Sequence, residues 1–314
     1  MKQEETKMIS VIAVVGPTAS GKTTLAVELA KHFDAEILSF DSMQLYEGMD
    51  IATAKPTFSE MQGVPHHMIS AIPLDEEMSV AKYKRLADEI IKDIDVRGKR
   101  VVLVGGTGLY LDALIDNIEF LEVDKTGVEE KFCKEIEGLT PAEMYERLKE
   151  VDPESADRIH INNVARVARA LKVYYTTGYT ITHQVKESRK NPSKYKAIYI
   201  GLNVKNREYL YDRINKRIDD MLENGLLDEV KEYKSLGNTS CQAIGIKELV
   251  PYVNGEKTLE ECLESLKQST RRYAKRQLTW FRRNDRIHWF YIDEKTQKEI
   301  LKEAIEIIEK EMNT

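Results

Sequence analysis

Eight residues near the start of the chain, Gly16-Pro17-Thr18-Ala19-Ser20-Gly21-Lys22-Thr23, have the form G-x-x-x-x-G-K-T. The chemistry of that spacing is phosphate binding. Glycines let the backbone curl so that successive N–H groups turn inward on phosphate oxygens. A helix beginning at Lys22 adds the partial positive charge of its N-terminus. Lys22 brings a full charge, and the Thr23 hydroxyl can hold Mg²⁺. The motif leaves open whether the bound group belongs to a nucleoside triphosphate or to another pyrophosphate. It also leaves open a plain glycine-rich turn with no ligand.

An acid is expected near such a loop, at the end of a hydrophobic strand, where it helps hold the metal. The apolar run Val101–Val104 ends instead in Gly105-Gly106-Thr107-Gly108. The run that does end in an acid is Glu36–Phe40, followed by Asp41-Ser42. Ligands of open α/β sheets bind at the carboxyl ends of the strands, so Asp41, Thr107 and the phosphate loop should share one crevice. There Asp41 can be a metal ligand, a general base or merely a turn cap.

A third cluster is basic. From 271 to 286 there are seven bases and one acid, a net of +6 inside a chain whose net charge is −6. At 100° per residue, Arg272, Arg276, Thr279 and Arg283 form one stripe of a helix, and Arg271, Lys275 and Arg282 form the next. Tyr273, Ala274, Trp280 and Phe281 lie away from them, where they can pack on a core. A one-sided basic helix is the footprint of a phosphate backbone, whereas a solvated face usually mixes signs. The helix expected at 206–224 does mix signs, although its Arg217 can turn toward a phosphate. His66 and His67 are adjacent, poor spacing for joint metal ligation, and a turn or a substrate-lining position is expected for them.

These residues must be positioned by a scaffold, and the first third of the chain supplies one. Ile9–Val15 is a continuous apolar run, as a strand buried on both faces requires. Leu25, Leu29 and Phe33 follow at helical spacing. Another amphipathic helix is expected over Ser79–Arg97, capped by Ser79 and stopped by Gly98. Alternating strand and helix predicts an α/β parallel sheet with helices on both faces. After about 117 the pattern changes: residues 119–150 hold ten acids and five bases, and no strand signal appears. Thr140-Pro141-Ala142-Glu143 opens a helix as a capping box, and Asn163–Thr177 is a further helix ending at Gly178. An all-helical insertion is expected at 118–194, between a first core part at 1–117 and a completion at 195–314. The completion should hold a strand at 195–203, helices at 206–224, 226–236 and 258–284, a strand at 287–292 and a helix at 296–312.

Composition bounds the rest. The chain has 314 residues, 42% apolar and 32% charged, which excludes global disorder and a binder of nucleic acid through bulk charge. Cys133, Cys241 and Cys262 are odd in number and far apart, so neither a disulfide framework nor a cysteine zinc site is expected. No apolar run approaches the ~18 residues of a bilayer span. The first seven residues are polar, and no secretory signal follows. A cytoplasmic protein without a membrane partner is expected.

Taken jointly, the segments GPTASGKT (16–23), DSMQLYEGMDIATAKP (41–56), GGTGLY (105–110), VDPESADRIHINN (151–163) and KRQLTWFR (275–282) resemble the tRNA dimethylallyltransferases, also called tRNA isopentenyltransferases. The absence of a zinc-finger extension resembles the bacterial type. The resemblance implies a P-loop NTPase-like core with a helical insertion. It implies transfer of a dimethylallyl group from dimethylallyl diphosphate to the exocyclic N6 amine of the adenine beside the anticodon, at position 37 of tRNAs. It accounts for the missing acid, since the loop would hold a diphosphate leaving group and no terminal phosphate would be cleaved. By the same resemblance Asp41 is the general base and Thr107 assists it. Gly16 to Thr23 with Arg217 hold the diphosphate, and Thr23 holds Mg²⁺ as the cofactor. Asp41, Ser42, Met43 and Gln44 meet the extruded base. Arg166, Arg169, Gln242, Lys247, Arg272, Lys275, Arg276, Gln277, Trp280 and Arg282 meet the anticodon stem-loop. A monomer is expected. The chain departs from the family pattern at Ala165, Cys241 and Ile246, and at Met68 and Ser70. Three rival readings stay open on the residues alone: a small-molecule kinase using the same loop, a nucleotide-gated RNA-binding protein, and a prenyltransferase acting on free nucleotides.

Overall fold

The computed structural model describes residues 8–118, 132, 135–188, 192–233 and 240–313. Cys133 and the end of the helix expected at 226–236 lie outside the described residues. The chain forms two compact units, one of Met1–Leu111 with Tyr195–Thr314 and one of Asp112–Lys194.

The first unit begins with β1 (Ile9–Val15), α1 (Lys22–His32) and β2 (Ala35–Ser39). Then come α2 (Phe58–Met61), β3 (His66–His67), α3 (Val80–Val96), β4 (Arg100–Val104) and α4 (Gly108–Ile115). The sheet has six strands in the order β3-β2-β4-β1, followed by two strands from the later part of the chain, and all its pairings are parallel. Parallel strands with helical crossovers are buried on both faces, which is why Val11–Val15 of β1 and Val101–Val104 of β4 read as unbroken apolar runs. Ile12 and Val14 of β1 join Val102, Val104, Leu25 and Leu29 in one core cluster. The alternate residues Val11, Ala13 and Val15 are equally buried on the opposite side of the pleat. Ser79 Oγ accepts the Lys82 N–H, and Gly98 follows the end of α3 at φ 74°.

His66 and His67 depart from their expected turn or substrate-lining place. They form the edge strand β3, in register with Ile37 and Leu38 of β2. His67 Nε2 lies 2.7 Å from Glu36 Oε2, and the same buried carboxylate is gripped by the Arg97 guanidinium. Sequence spacing cannot show this, because Glu36 and Arg97 lie on different elements.

The second unit is all-helical among its described residues: α5 (Pro141–Val151), α6 (Pro153–Arg158), α7 (Val164–Thr177) and α8 (Ile181–Ser188). Met144, Leu148, Val167 and Leu171 form its own core. Asp152 caps α6 and ties it to Thr182 of α8.

The chain returns to the sheet with β5 (Tyr195–Asn203), beside β1. There follow α9 (Arg207–Glu223), α10 (Leu226–Glu232), a 3₁₀ turn (Ser240–Gln242), α11 (Ile246–Val253) and α12 (Leu259–Phe281). The edge strand β6 (Ile287–Tyr291) and α13 (Gln297–Met312) complete the unit. Thr258 and Thr296 open the last two helices as capping boxes with Glu261 and Glu299. Among the described residues no helix is long and apolar enough to cross a membrane. Nor does any group of three or more His, Cys, Asp or Glu side chains converge on one point.

Candidate active site

The loop after β1 has a shape that only its own residues permit. Gly16 has φ 145°, and a Cβ there would stand 2.6 Å from the Leu202 carbonyl oxygen. Gly21 precedes α1 at φ 90°. Three side chains from elsewhere brace the loop. Arg213 Nε donates to the Ala19 carbonyl at 2.7 Å, Arg217 Nη1 to Thr18 Oγ1 at 3.3 Å, and Gln277 Oε1 accepts the Thr18 N–H at 2.8 Å. Lys22 Nζ donates to the Pro17 carbonyl at 2.6 Å. The Thr18 N–H is thus taken by Gln277 and the Ser20 N–H donates to the Pro17 carbonyl at 3.4 Å, so two loop amides already have partners. Burial pushes the Lys22 ammonium down to about 7, Arg217 pushes in the same direction, and Asp41 opposes both. Burial likewise lowers Arg217.

The acid side of the site is built from the ends of β2 and β4, neighbours in the sheet. Asp41 Oδ1 accepts the Met43 N–H at 3.0 Å, so the turn-cap geometry is present. Thr107 Oγ1 accepts the Ser42 N–H at 3.0 Å and donates to Ser42 Oγ at 3.2 Å. It is thereby bonded to the residue that follows Asp41. Gln44 Nε2 donates to the Thr53 and Ala54 carbonyls at 3.3 and 3.1 Å, which fixes the amide's orientation. Burial, and then the charge on Asp41, push the nearby Tyr273 hydroxyl well above its usual range.

Both halves open on one cavity of about 280 Å³, whose lining includes Lys22, Thr23, Asp41, Gln44, Arg217 and Tyr273. Ser42 and Met43 also line it, as do Gln242, Lys247 and Arg276. Of the phosphate loop, Thr18, Lys22 and Thr23 reach the cavity, while Gly16, Pro17, Ala19, Ser20 and Gly21 shape the loop behind them. The arrangement can hold a diphosphate at one end and offer a carboxylate and an amide to a second reactant at the other.

The remaining expected residues fall into three places. Arg272, Lys275, Arg276 and Arg282 are exposed on α12 or at its end. The Arg276 guanidinium lies 5.6 Å from the Tyr273 ring centroid, and that of Arg283 lies 4.0 Å from Trp280. Arg271 leaves its stripe: Nη2 donates to Asn215 Oδ1 at 2.9 Å and ties α12 to α9. Gln277, expected to meet tRNA, lines the cavity. It is buried, and beyond its bond to Thr18 it donates from Nε2 to the Gly106 carbonyl at 3.2 Å. Trp280 is half-buried, its indole packed where Gly108 leaves room. Arg166 and Arg169 are exposed on α7 of the helical unit. Sequence reading missed Arg213, whose available signal was its position one helical turn before Arg217. It also assigned Tyr273 to the core, since a phenol at the inner edge of a basic stripe looks like packing.

Comparison with known proteins agrees with this geometry. The family model described as IPP transferase matches residues 44–284. A protein named tRNA dimethylallyltransferase from Caldanaerobacter subterraneus is 50% identical over 304 residues, covering 95% of this chain and 96% of that one. Another of the same name from a Thermoanaerobacter species is 47% identical over 313 residues, covering 97% and 99%. The crystal structure of the tRNA delta(2)-isopentenylpyrophosphate transferase from Staphylococcus epidermidis superposes with a TM-score of 0.71 at 44% identity, covering 96% of this chain and 99% of that one. A eukaryotic dimethylallyltransferase described as acting on tRNA gives 0.72 at 34% identity, covering 87% and 70%. The core is thus of the P-loop NTPase-like kind, and the chain belongs to the IPP transferase family.

Proposed function

We propose that this protein transfers a dimethylallyl group from dimethylallyl diphosphate to the N6 amine of adenine 37 in tRNAs. The observation that carries the reading is that Lys22 and Thr23 of the phosphate loop share one cavity with Asp41 and Gln44. A donor diphosphate on Lys22 and Arg217 would point its allylic carbon toward the carboxylate end. The base leaves the anticodon-loop stack to enter, which in a single-stranded loop costs only a few kcal/mol. The amine nitrogen bonds to the allylic carbon while the carbon–oxygen bond to diphosphate breaks. Asp41 accepts the amine proton. Thr107 positions that turn through Ser42. Lys22, Arg217 and the N-terminus of α1 stabilise the charge that builds on the leaving group.

The Thr23 hydroxyl on the cavity wall is an oxygen donor that fits Mg²⁺, which binds through few protein ligands and takes the rest from phosphate and water. When bound it would screen the charge of the diphosphate. The exposed bases of α12 supply a surface for the tRNA backbone, and Arg166 and Arg169 supply another on the helical unit. A monomer acting in the cytoplasm is part of this reading.

Incubation with labelled dimethylallyl diphosphate and bulk unmodified tRNA, followed by nucleoside analysis, tests the reading. The expected product is N6-dimethylallyl-adenosine, with release of diphosphate and no requirement for ATP. Label confined to free nucleotides, or turnover of ATP without RNA, would refute it.

A further inference from the structure

Part of the cavity wall is made by Ala52, Thr53 and Ala54. It belongs to no regular element. Residues 50–54 form a turn in which Ala54 takes a positive φ of 47° and its N–H bonds to the Ile51 carbonyl at 2.9 Å. The N–H of Asp50 is shared, reaching the Gly48 carbonyl at 2.7 Å as well as a side chain, while those at 51 and 52 meet the side chain alone. All three are met by one side chain. Glu229 Oε2 accepts from Asp50 N at 2.9 Å and from Ile51 N at 2.7 Å, and Oε1 accepts from Ala52 N at 2.8 Å. Charge-assisted hydrogen bonds of this kind are roughly twice as strong as neutral ones.

Glu229 is well placed for such a grip. It stands on α10, whose buried Leu226 lines the same cavity. One turn further on, the Tyr233 hydroxyl donates to the Gly48 carbonyl at 2.7 Å. The far side of the segment is held by Lys55, which donates to Asp50 Oδ1 at 2.7 Å and to Ser70 Oγ at 2.9 Å. What the segment holds in turn is the Gln44 amide, through the Thr53 and Ala54 carbonyls. Two carbonyls that anchor one Nε2 leave that amide with no freedom to flip. A shift of the 50–54 turn therefore moves or reorients the one neutral amide among the residues that should face an acceptor base.

We propose that Glu229 is a positioning residue for the acceptor half of the cavity: by binding three successive peptide N–H groups it holds the wall that orients Gln44. The inference rests on the reading that an adenine enters beside Asp41 and Gln44. Glu229 touches neither substrate. Misorientation of a base by a fraction of an ångström costs transfer rate more than affinity, because most tRNA affinity comes from phosphate contacts elsewhere.

The test uses the full chain with dimethylallyl diphosphate and unmodified tRNA, comparing wild type, Glu229→Gln and Glu229→Ala. Glu229→Ala is expected to lose about tenfold to a hundredfold in kcat at saturating substrates. Its Kd for tRNA and for the donor should change less than about twofold, because the phosphate loop and α12 are untouched. Glu229→Gln keeps the volume and one accepting oxygen, so an intermediate loss is expected, and this variant decides should Glu229→Ala not fold. A purely structural role predicts a lower melting temperature with wild-type kcat measured well below it, and that result would overturn the proposal. Equal losses in donor binding and kcat would overturn it as well. A wild-type chain that leaves tRNA unmodified would overturn the proposed function and this inference together. An active wild type with fully active variants would overturn only the role of Glu229.

Discussion

Asp41 does two things with one side chain, and the difference between them can be measured. Its Oδ1 caps the Met43 N–H, while the carboxylate lines the cavity. Asparagine keeps the cap and removes the base. Asp41→Asn should therefore retain tRNA and diphosphate affinity and lose a factor of ~10²–10⁴ in transfer, the usual contribution of a general base. Single-turnover rates with both substrates bound give the answer, and a variant within tenfold of wild type would remove Asp41 from the proton transfer. Lys22 offers a second measurement. With its ammonium held down to about 7 in the free enzyme, about half of the molecules are neutral at that pH. A bound diphosphate favours the charged form, so binding above pH 7 must take up a proton. Donor affinity should then fall as pH rises from 7 to 9, by up to about tenfold per unit. Calorimetry of diphosphate binding in buffers of different ionisation enthalpy would show this uptake in wild type. Lys22→Arg, whose charge is permanent, should lack Lys22's share of it.

At the scale of elements, the edge of the sheet is secured by a buried charge. Glu36 of β2 is 3% exposed and meets both Arg97, just beyond α3, and His67 of β3. The Arg97 hydrogen bonds hold its carboxyl down to about 2, against burial, which acts in the opposite direction, and the His67 contact adds to the lowering. A depressed carboxyl stabilises the fold above its unfolded value of about 4.5 and ceases to do so as pH falls from there toward 2. Glu36→Gln should cost about 2 kcal/mol at pH 7, a figure reduced from the full shift because Arg97 is partly in water. That gap should narrow steadily between pH 4.5 and 3. Urea unfolding of both proteins at pH 7, 4 and 3 measures it; a gap that does not change with pH would mean that the cluster is held by packing alone.

At the scale of the whole molecule, an acidic chain carries a concentrated basic surface on α12. Arg272 and Lys275 are exposed, and neither lines the cavity. Under the proposed function their partner by charge is a phosphate backbone. For single strands the log–log salt slope is about −0.7 per neutralised phosphate. The double variant Arg272→Ala, Lys275→Ala should bind tRNA more weakly, with a slope shallower by roughly 1.4 units. Binding across a salt series, beside thermal unfolding, separates this from a structural role, which predicts a lower melting temperature and an unchanged slope.

Features that depend on short spacing were legible without any tertiary information. The phosphate loop needs consecutive residues, so 16–23 was legible as a unit, and so were the strands whose burial on both faces makes them continuous apolar runs. The acid at Asp41 was legible because strand ends in a parallel sheet face the same crevice, whereas Thr107, expected there by the same argument, bonds to Ser42 and is not among the described residues that line the cavity. Tertiary structure alone decided what depends on residues far apart in the chain. Gln277 looked like one more polar residue of a basic helix, yet it meets Thr18 across 259 positions. Arg271 looked like part of a charged stripe, yet it bonds to Asn215. Glu229 sat in an ordinary acidic turn of helix, 179 positions from Asp50. Helical periodicity says which side a residue is on, but not which backbone amide will stand there. That is settled only when the sheet brings α9, α10 and α12 around the loops at its carboxyl edge.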